Sequence, residues 1–373
     1  MKPESSVLVG ILGAFLALPA AADRLELIEL PDGFRISVYA ERVDNARQMA
    51  LGDQGTLFVG SRKATQVYAL RDDDGDHVAE RVVVLDRGLE MPSGVAFRDG
   101  ALYVGDHNRI LRYDLVESRI YAQPDPILVT DQLPRGHHNW KHLEFGPDGW
   151  LYIPVGVPCN ICDEQGYGQI RRLDLASGNM EVYARGIRNS VGFTFHPETG
   201  DLWFNDNGRD HLGDELPADE LNHAPRPGMH FGFPYCHQGD LPDPEYGPEH
   251  DCDSFIPPAL NYRAHVAPLG MAFYTGDMFP AEYRSSLFVA QHGSWNRSSK
   301  IGYRLVNIRF DASGAVTEKR IFASGWLQGE RAWGRPVDVL VMPDGALLVS
   351  DDEADLIYRI TWSGEQNRAA NGR

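Results

Sequence analysis

The sequence predicts an all-β protein: a six-bladed β-propeller with a long, disulfide-pinned rim insertion. Three observations carry that expectation. A short apolar segment, a tight turn and a Leu-led segment recur six times along the chain. Between turns, residues alternate and are rich in β-branched and aromatic types, as in Ile357-Tyr358-Arg359-Ile360-Thr361-Trp362, which is the pattern of strands. Little of the chain is left for long helices, so an α/β arrangement is excluded.

The first unit is Met49-Ala50-Leu51, a turn at Gly55, then Leu57-Phe58-Val59. The second runs Val95-Ala96-Phe97, Gly100, Leu102-Tyr103-Val104, and the third Leu143-Glu144-Phe145, Gly149, Leu151-Tyr152-Ile153. The fourth is Phe193-Thr194-Phe195, Gly200, Leu202-Trp203-Phe204. The fifth has a stretched turn between Met271-Ala272-Phe273 and Leu287-Phe288-Val289. The sixth is Val339-Leu340-Val341, Gly345, Leu347-Leu348-Val349. Glycine supplies the positive φ that hairpin turns need. The leading leucines lie about 45–60 residues apart, room for one four-stranded blade each, except across one longer gap. Residues 34–40 are expected to complete the last blade and close the ring. The longer gap holds the stretch 209–267, rich in Pro, Gly and His and containing Cys236 and Cys252. A loop of that length tends to be functional or disordered, and a disulfide would pin it as a rim over one face.

The chain carries 53 acidic against 35 basic residues, a net charge of −18, with no sizeable Lys/Arg cluster. Such a surface repels phosphate backbones and argues against nucleic-acid binding. Residues 7–18 are apolar, preceded by Lys2 and followed by Pro19-Ala20-Ala21-Ala22. This is the pattern of a secretory signal cleaved after Ala22, too short to span a bilayer comfortably. The expected organisation is therefore a signal peptide, 1–22, and a propeller domain, 23–373, with the insertion at 209–267. The mature protein is expected to be periplasmic or secreted and not membrane-spanning; an uncleaved anchor is the alternative. Export permits disulfides. Local bridging, Cys159 with Cys162 and Cys236 with Cys252, is the economical choice among three connectivities, with a zinc site as the rival.

Equivalent positions of the repeat can be compared with one another. The segment before each innermost strand enters from one rim and borders the central channel. Four of the six carry a cation or His there: Arg47, the His137–His142 segment, Arg188-Asn189 and Arg335. That recurrence points to an anionic, polar ligand. A second group, after the Leu-led strands, includes Asp106-His107-Asn108, Asn205-Asp206-Asn207-Gly208-Arg209-Asp210, Gln291 through Arg297, and Asp351-Asp352, whose oxygens suit calcium.

At these residues the chain resembles the soluble quinoprotein sugar dehydrogenases, especially the sorbosone and aldose sugar dehydrogenase branch. The resemblance spans roughly residues 30–362. It rests on His138-x4-Leu143-x-Phe145-Gly146-Pro147-Asp148-Gly149, Gly186-Ile187-Arg188-Asn189 with Gly192-Phe193, Gly208, His292-Gly293-Ser294-Trp295-Asn296-Arg297 and Gly334-Arg335-Pro336-Val337. It implies a six-bladed propeller holding pyrroloquinoline quinone (PQQ) and Ca2+ over the channel. By similarity His138 is the catalytic base, Arg188 and Asn189 contact the quinone, Arg335 binds a carboxylate, and the Gly208 and Arg209 carbonyls ligate calcium. The family's glucose-oxidising members have Gly-Pro where this chain has Gly208-Arg209, and Asp where it has His137. His292 or Arg297 stands in for their quinone-contacting Lys.

PQQ is a tricarboxylate, and arginine forks suit carboxylates, so Arg47 and Arg297 join Arg188 and Arg335 as cofactor-binding candidates. Arg188 is also the expected stabiliser of developing oxyanion charge. The expected reaction oxidises an aldose sugar or a sorbosone-like sugar aldehyde, with electrons leaving to an external acceptor such as a cytochrome or quinone. The alternatives are a calcium-dependent propeller lactonase and a non-catalytic binding platform.

Overall fold

The computed structural model describes residues 21–364. The expected signal peptide, apart from its last two residues, lies outside the described residues. Six antiparallel sheets form the blades of a ring, as the repeat predicts. Blade one comprises Ala46–Leu51, Leu57–Ser61, Gln66–Arg71 and Arg81–Arg87; blade two comprises Pro92–Arg98, Ala101–Asp106, Arg109–Tyr113 and Ile127–Thr130. Blade three comprises Glu144–Phe145, Leu151–Val155, Gln169–Leu173 and Met180–Arg185, and blade five Pro268–Phe273, Leu287–Gln291, Arg304–Phe310 and Val316–Ala323. Blade six contains Pro336–Val341, Leu347–Asp351 and Leu356–Trp362, completed by the N-terminal strand Phe34–Glu41. That last strand pairs antiparallel with Leu356–Trp362, Phe34 opposite Trp362 and Val38 opposite Tyr358. The ring is thus closed by hydrogen bonds between the two ends of the domain. Among the described residues the one α-helix is Val116–Arg119, and no helix is long and apolar enough to cross a membrane.

The stretch 209–267 is not loop throughout, which corrects the expected insertion. Glu220–Ala224 and Leu260–Asn261 are the third and fourth strands of blade four, outside Phe193–Phe195 and Leu202–Asp206. The excursion proper lies between them. It lends blade three a fifth strand, Met229–His230, parallel to Met180–Arg185. It is pinned by the Cys236–Cys252 disulfide, and a second disulfide joins Cys159 to Cys162, the local pairing.

Burial follows the ring. The six larger apolar clusters each lie between two neighbouring blades: Phe58 and Val95 between one and two, Tyr103 and Ile153 between two and three, Tyr152 and Phe204 between three and four. Trp203 and Met271 fill the space between four and five, Phe288 and Tyr358 between five and six, and Tyr39 and Leu57 between six and one. Each blade is therefore apolar on both faces, which is why its strands read as nearly continuous hydrophobic runs. A smaller cluster of Val191, Leu269 and Val337, with Trp140 against it, sits where the innermost strands of blades four, five and six begin.

Candidate active site

Against that cluster, with Leu269 shared, is a cavity of ≈350 Å³. Its walls come from the segments preceding the innermost strands and from the loops following the second strands. The structure brings Arg47, His138, Arg188, Asn189, Gly208, His292 and Arg335 together around it. Buried carboxylates at the ends of the second strands hold several of these segments. Asp206 accepts the backbone N–H groups of Arg188 (2.8 Å) and Asn189 (2.6 Å), and Asp351 accepts that of Arg335 (2.8 Å). The acids following the Leu-led strands, expected as calcium donors, thus include two that serve as clamps for the backbone of the site.

One wall is rich in guanidinium groups. Arg47, buried, donates from Nη1 to Asp352 Oδ2 at 2.9 Å, while its Nη2 is buried without a hydrogen-bond partner. His292 Nε2 meets the other Asp352 oxygen at 2.7 Å. Arg335 donates to the backbone carbonyls of His292 (3.1 Å) and Gly293 (2.8 Å). Burial alone would raise the Asp352 carboxyl, but His292, Arg47 and Arg335 carry it well below the usual range. Burial pushes His292 down to about 4, with Asp352 opposing and Arg335 and Arg47 assisting. This imidazole is therefore neutral at pH 7. Arg62 lies over the Trp140 ring at 4.0 Å from its centroid, a cation–π contact that sets a fourth guanidinium at the cavity.

His138 is buried, and its Nδ1 is 2.8 Å from the Val157 carbonyl oxygen. A carbonyl only accepts, so Nδ1 carries the proton and Nε2 the lone pair. Gly156 permits this packing, because a Cβ there would collide with the His138 backbone and Cβ. Burial, then the Arg188 charge and His137, push the His138 imidazole down to about 3, against the Val157 hydrogen bond.

Arg188 is 4% exposed and heavily engaged. Nε donates to the Asn160 carbonyl (2.9 Å), Nη1 to the Asn207 carbonyl (3.1 Å), and Nη2 to Asn160 Oδ1 and Asp210 Oδ2, both at 3.0 Å. Four of five N–H groups are thereby spent, leaving one Nη1 hydrogen. Burial lowers its pKa, with Asp210 the main opposing charge. Beside it, Asn189 Oδ1 is a buried acceptor without a donor. Gly208, Asp210 and Asp219 line the same side, so this wall is rich in oxygen.

Two predicted residues do not join the wall with their side chains. Arg209 turns away to Asp243, at 2.5 Å. Arg297 is taken up by Glu215 Oε1 (2.6 Å) and the backbone carbonyl of Asp214, in the long loop of blade four. Sequence reasoning missed Arg62 and Asn160, placed Asp210 among the oxygen donors without seeing it as the partner of Arg188, and did not see Asp352 as the bridge between Arg47 and His292.

The residues present fit a multiply anionic ring accompanied by a cation. Arg47 Nη2 is a charged donor with no acceptor, Asn189 Oδ1 is an acceptor with no donor, and they belong to opposite walls of contrasting charge. Buried polar atoms are seldom left unpaired unless something else satisfies them.

The family model described as Glucose / Sorbosone dehydrogenase matches residues 105–359. A Borreliella burgdorferi protein described as uncharacterized is 30% identical over 361 residues, covering 91% of this chain and 92% of its own. The pyrroloquinoline quinone-dependent pyranose dehydrogenase of Coprinopsis cinerea is 23% identical over 426 residues; 93% of this chain is covered, but only 56% of that relative. The calcium structure of a Trichoderma reesei carbohydrate-active enzyme of family AA12 superposes with a TM-score of 0.78 at 21% identity, covering 93% of this chain and 99% of that one. At that identity the likeness is one of fold.

Proposed function

The chain belongs to the glucose/sorbosone dehydrogenase family, and from that premise we propose that it is a PQQ-dependent quinoprotein oxidising an aldose sugar or sugar aldehyde. Calcium accompanies the quinone, and electrons pass to an external acceptor such as a cytochrome or quinone. The observation that carries the reading is the convergence of four guanidinium groups, Arg47, Arg62, Arg188 and Arg335, on one cavity. Such a wall asks for a ligand with several carboxylates.

When bound, the quinone supplies a two-electron hydride acceptor, which amino-acid side chains do not provide. Everything else falls to the chain. Arg47, Arg62 and Arg335 grip carboxylates, while Asp352 fixes the first of these and His292 between them. Asn189 Oδ1 and the Gly208 and Arg209 carbonyls would be the oxygen donors that hold Ca2+. His138 takes the proton of the sugar's anomeric or hydrate hydroxyl at Nε2, its tautomer held by the Val157 carbonyl. The remaining Arg188 N–H faces developing negative charge on oxygen. Removal of residues 1–22 on export, leaving 23–373 in the periplasm or medium, belongs to the same proposal; the two disulfides are at home in an oxidising compartment.

Protein mixed with PQQ and Ca2+ should bind the quinone with quenching of tryptophan fluorescence, and reduce a dye only when an aldose or sugar aldehyde is added. His138→Ala should keep the quinone and lose turnover by about 100-fold or more. Absence of quinone binding at micromolar concentrations would overturn the proposal.

A further inference from the structure

We propose that Asn160, held in the loop closed by the Cys159–Cys162 disulfide, is the positioning residue for the Arg188 guanidinium. The proposal rests on the cofactor reading above and adds a residue that this reading does not use.

Asn160 meets Arg188 twice, through its backbone carbonyl at Nε (2.9 Å) and its side-chain Oδ1 at Nη2 (3.0 Å). Its side chain also ties down Asp210, the acid paired with Arg188. Oδ1 accepts the Asp210 N–H at 2.8 Å, and Nδ2 donates to the Asp210 carbonyl at 3.1 Å. One asparagine thus fixes the guanidinium and its counter-ion together. Asn296 Nδ2 adds a longer contact to Asp210 Oδ1, at 3.3 Å.

Asn160 can do this because its loop has few conformations open to it. Only Asn160 and Ile161 separate the two bridged cysteines, so the cross-link removes much of the freedom that a polar hairpin would otherwise have. The result is directional. With the other donors of Arg188 occupied, the remaining Nη1 hydrogen has a defined orientation, and a preorganised donor needs no rearrangement when charge develops. Without the Asn160 side chain, Arg188 loses one of its four bonds and keeps those to the Asn160 and Asn207 carbonyls and to Asp210, while Asp210 loses both ties that anchor it to Asn160.

The test uses the full chain with PQQ and Ca2+. Asn160→Ala should weaken quinone binding, read by fluorescence quenching, and lower kcat, each on the order of tenfold, with KM for the sugar little changed. Asn160→Asp, which keeps an acceptor for Arg188 and for the Asp210 N–H, should recover most of both. Cys159→Ser with Cys162→Ser should change both in the same direction as Asn160→Ala. On an Arg188→Leu background, Asn160→Ala should add almost nothing, because it acts through the missing guanidinium. A fourth readout needs no cofactor: the Arg188 Nη2–H resonance, whose acceptor is Asn160 Oδ1, should be protected from solvent exchange in the unaltered protein and lose much of that protection in Asn160→Ala. Wild-type affinity and kcat in Asn160→Ala, full additivity with Arg188→Leu, or unchanged Nη2–H protection would each overturn the assignment. A protein that binds no quinone at all would instead sink the parent reading, and the exchange measurement would still decide the role of Asn160.

Discussion

His138 shows how far a side chain's chemistry is set by its surroundings. An exposed imidazole titrates near 6.5, but burial and the neighbouring Arg188 push this one down to about 3 in the ligand-free cavity. The sign is simple: a depressed pKa keeps the basic, neutral form present as pH falls. A bound polyanion opposes Arg188 and moves the value back upward. The acid limb of kcat/KM should therefore lie between those two values, and a pH–rate profile that breaks at or above 6.5 would contradict the assignment of His138 as base. This residue was legible in the sequence because the repeat gives its position a structural address. The same holds for Arg47, Arg188 and Arg335, which occupy equivalent stations in different blades. Asn160 was not legible, since it comes from a connection with no counterpart in the repeat; Arg62 and Asp210 follow second strands, but nothing in the sequence shows that they meet Trp140 and Arg188. Arg297 misled for a related reason: its local motif says nothing of Asp214 and Glu215, distant in sequence, which occupy its guanidinium.

At the scale of the element, three alternate blades share one device. Asp106 in blade two, Asp206 in blade four and Asp351 in blade six each end a second strand and accept backbone N–H groups of the segment entering the adjacent innermost strand. Asp351 is the most heavily used: Oδ1 takes the N–H groups of Arg335, Glu353 and Ala354, and Oδ2 the Tyr358 hydroxyl at 2.9 Å. Replacing it by Ala strands those donors, so Asp351→Ala should cost about 3 kcal/mol or more and weaken quinone binding through Arg335. A denaturant midpoint unchanged from the parent protein would refute the clamp. Such carboxylates read in the sequence as turn residues or metal donors, because the N–H groups they satisfy lie some 15 or more positions earlier in the chain. The third and fourth strands of blade four were hidden for another reason. Glu220–Ala224 is short and polar, Leu260–Asn261 has two residues, and both are embedded among prolines and histidines.

For the whole molecule, the ring was the most legible feature. Leu57, Leu102, Leu151, Leu202, Leu287 and Leu347 are all 0% exposed, and each sits at or next to the start of its blade's second strand. Six repetitions of one packing solution leave a signal that survives local variation. Closure depends on a strand from the opposite end of the domain, whose Phe34 packs edge-on against Phe279, Phe322 and Tyr283 with centroids 4.8, 5.0 and 5.3 Å away. Phe34→Ala should destabilise the fold by about 3–5 kcal/mol and lower the thermal midpoint; a midpoint within a degree or so of the parent would show that this strand does not hold the ring shut. Closure by strands from both ends has a consequence of its own. Neither end can fray without tearing the ladder on which the other depends, so the ring should come apart as one cooperative unit and not blade by blade.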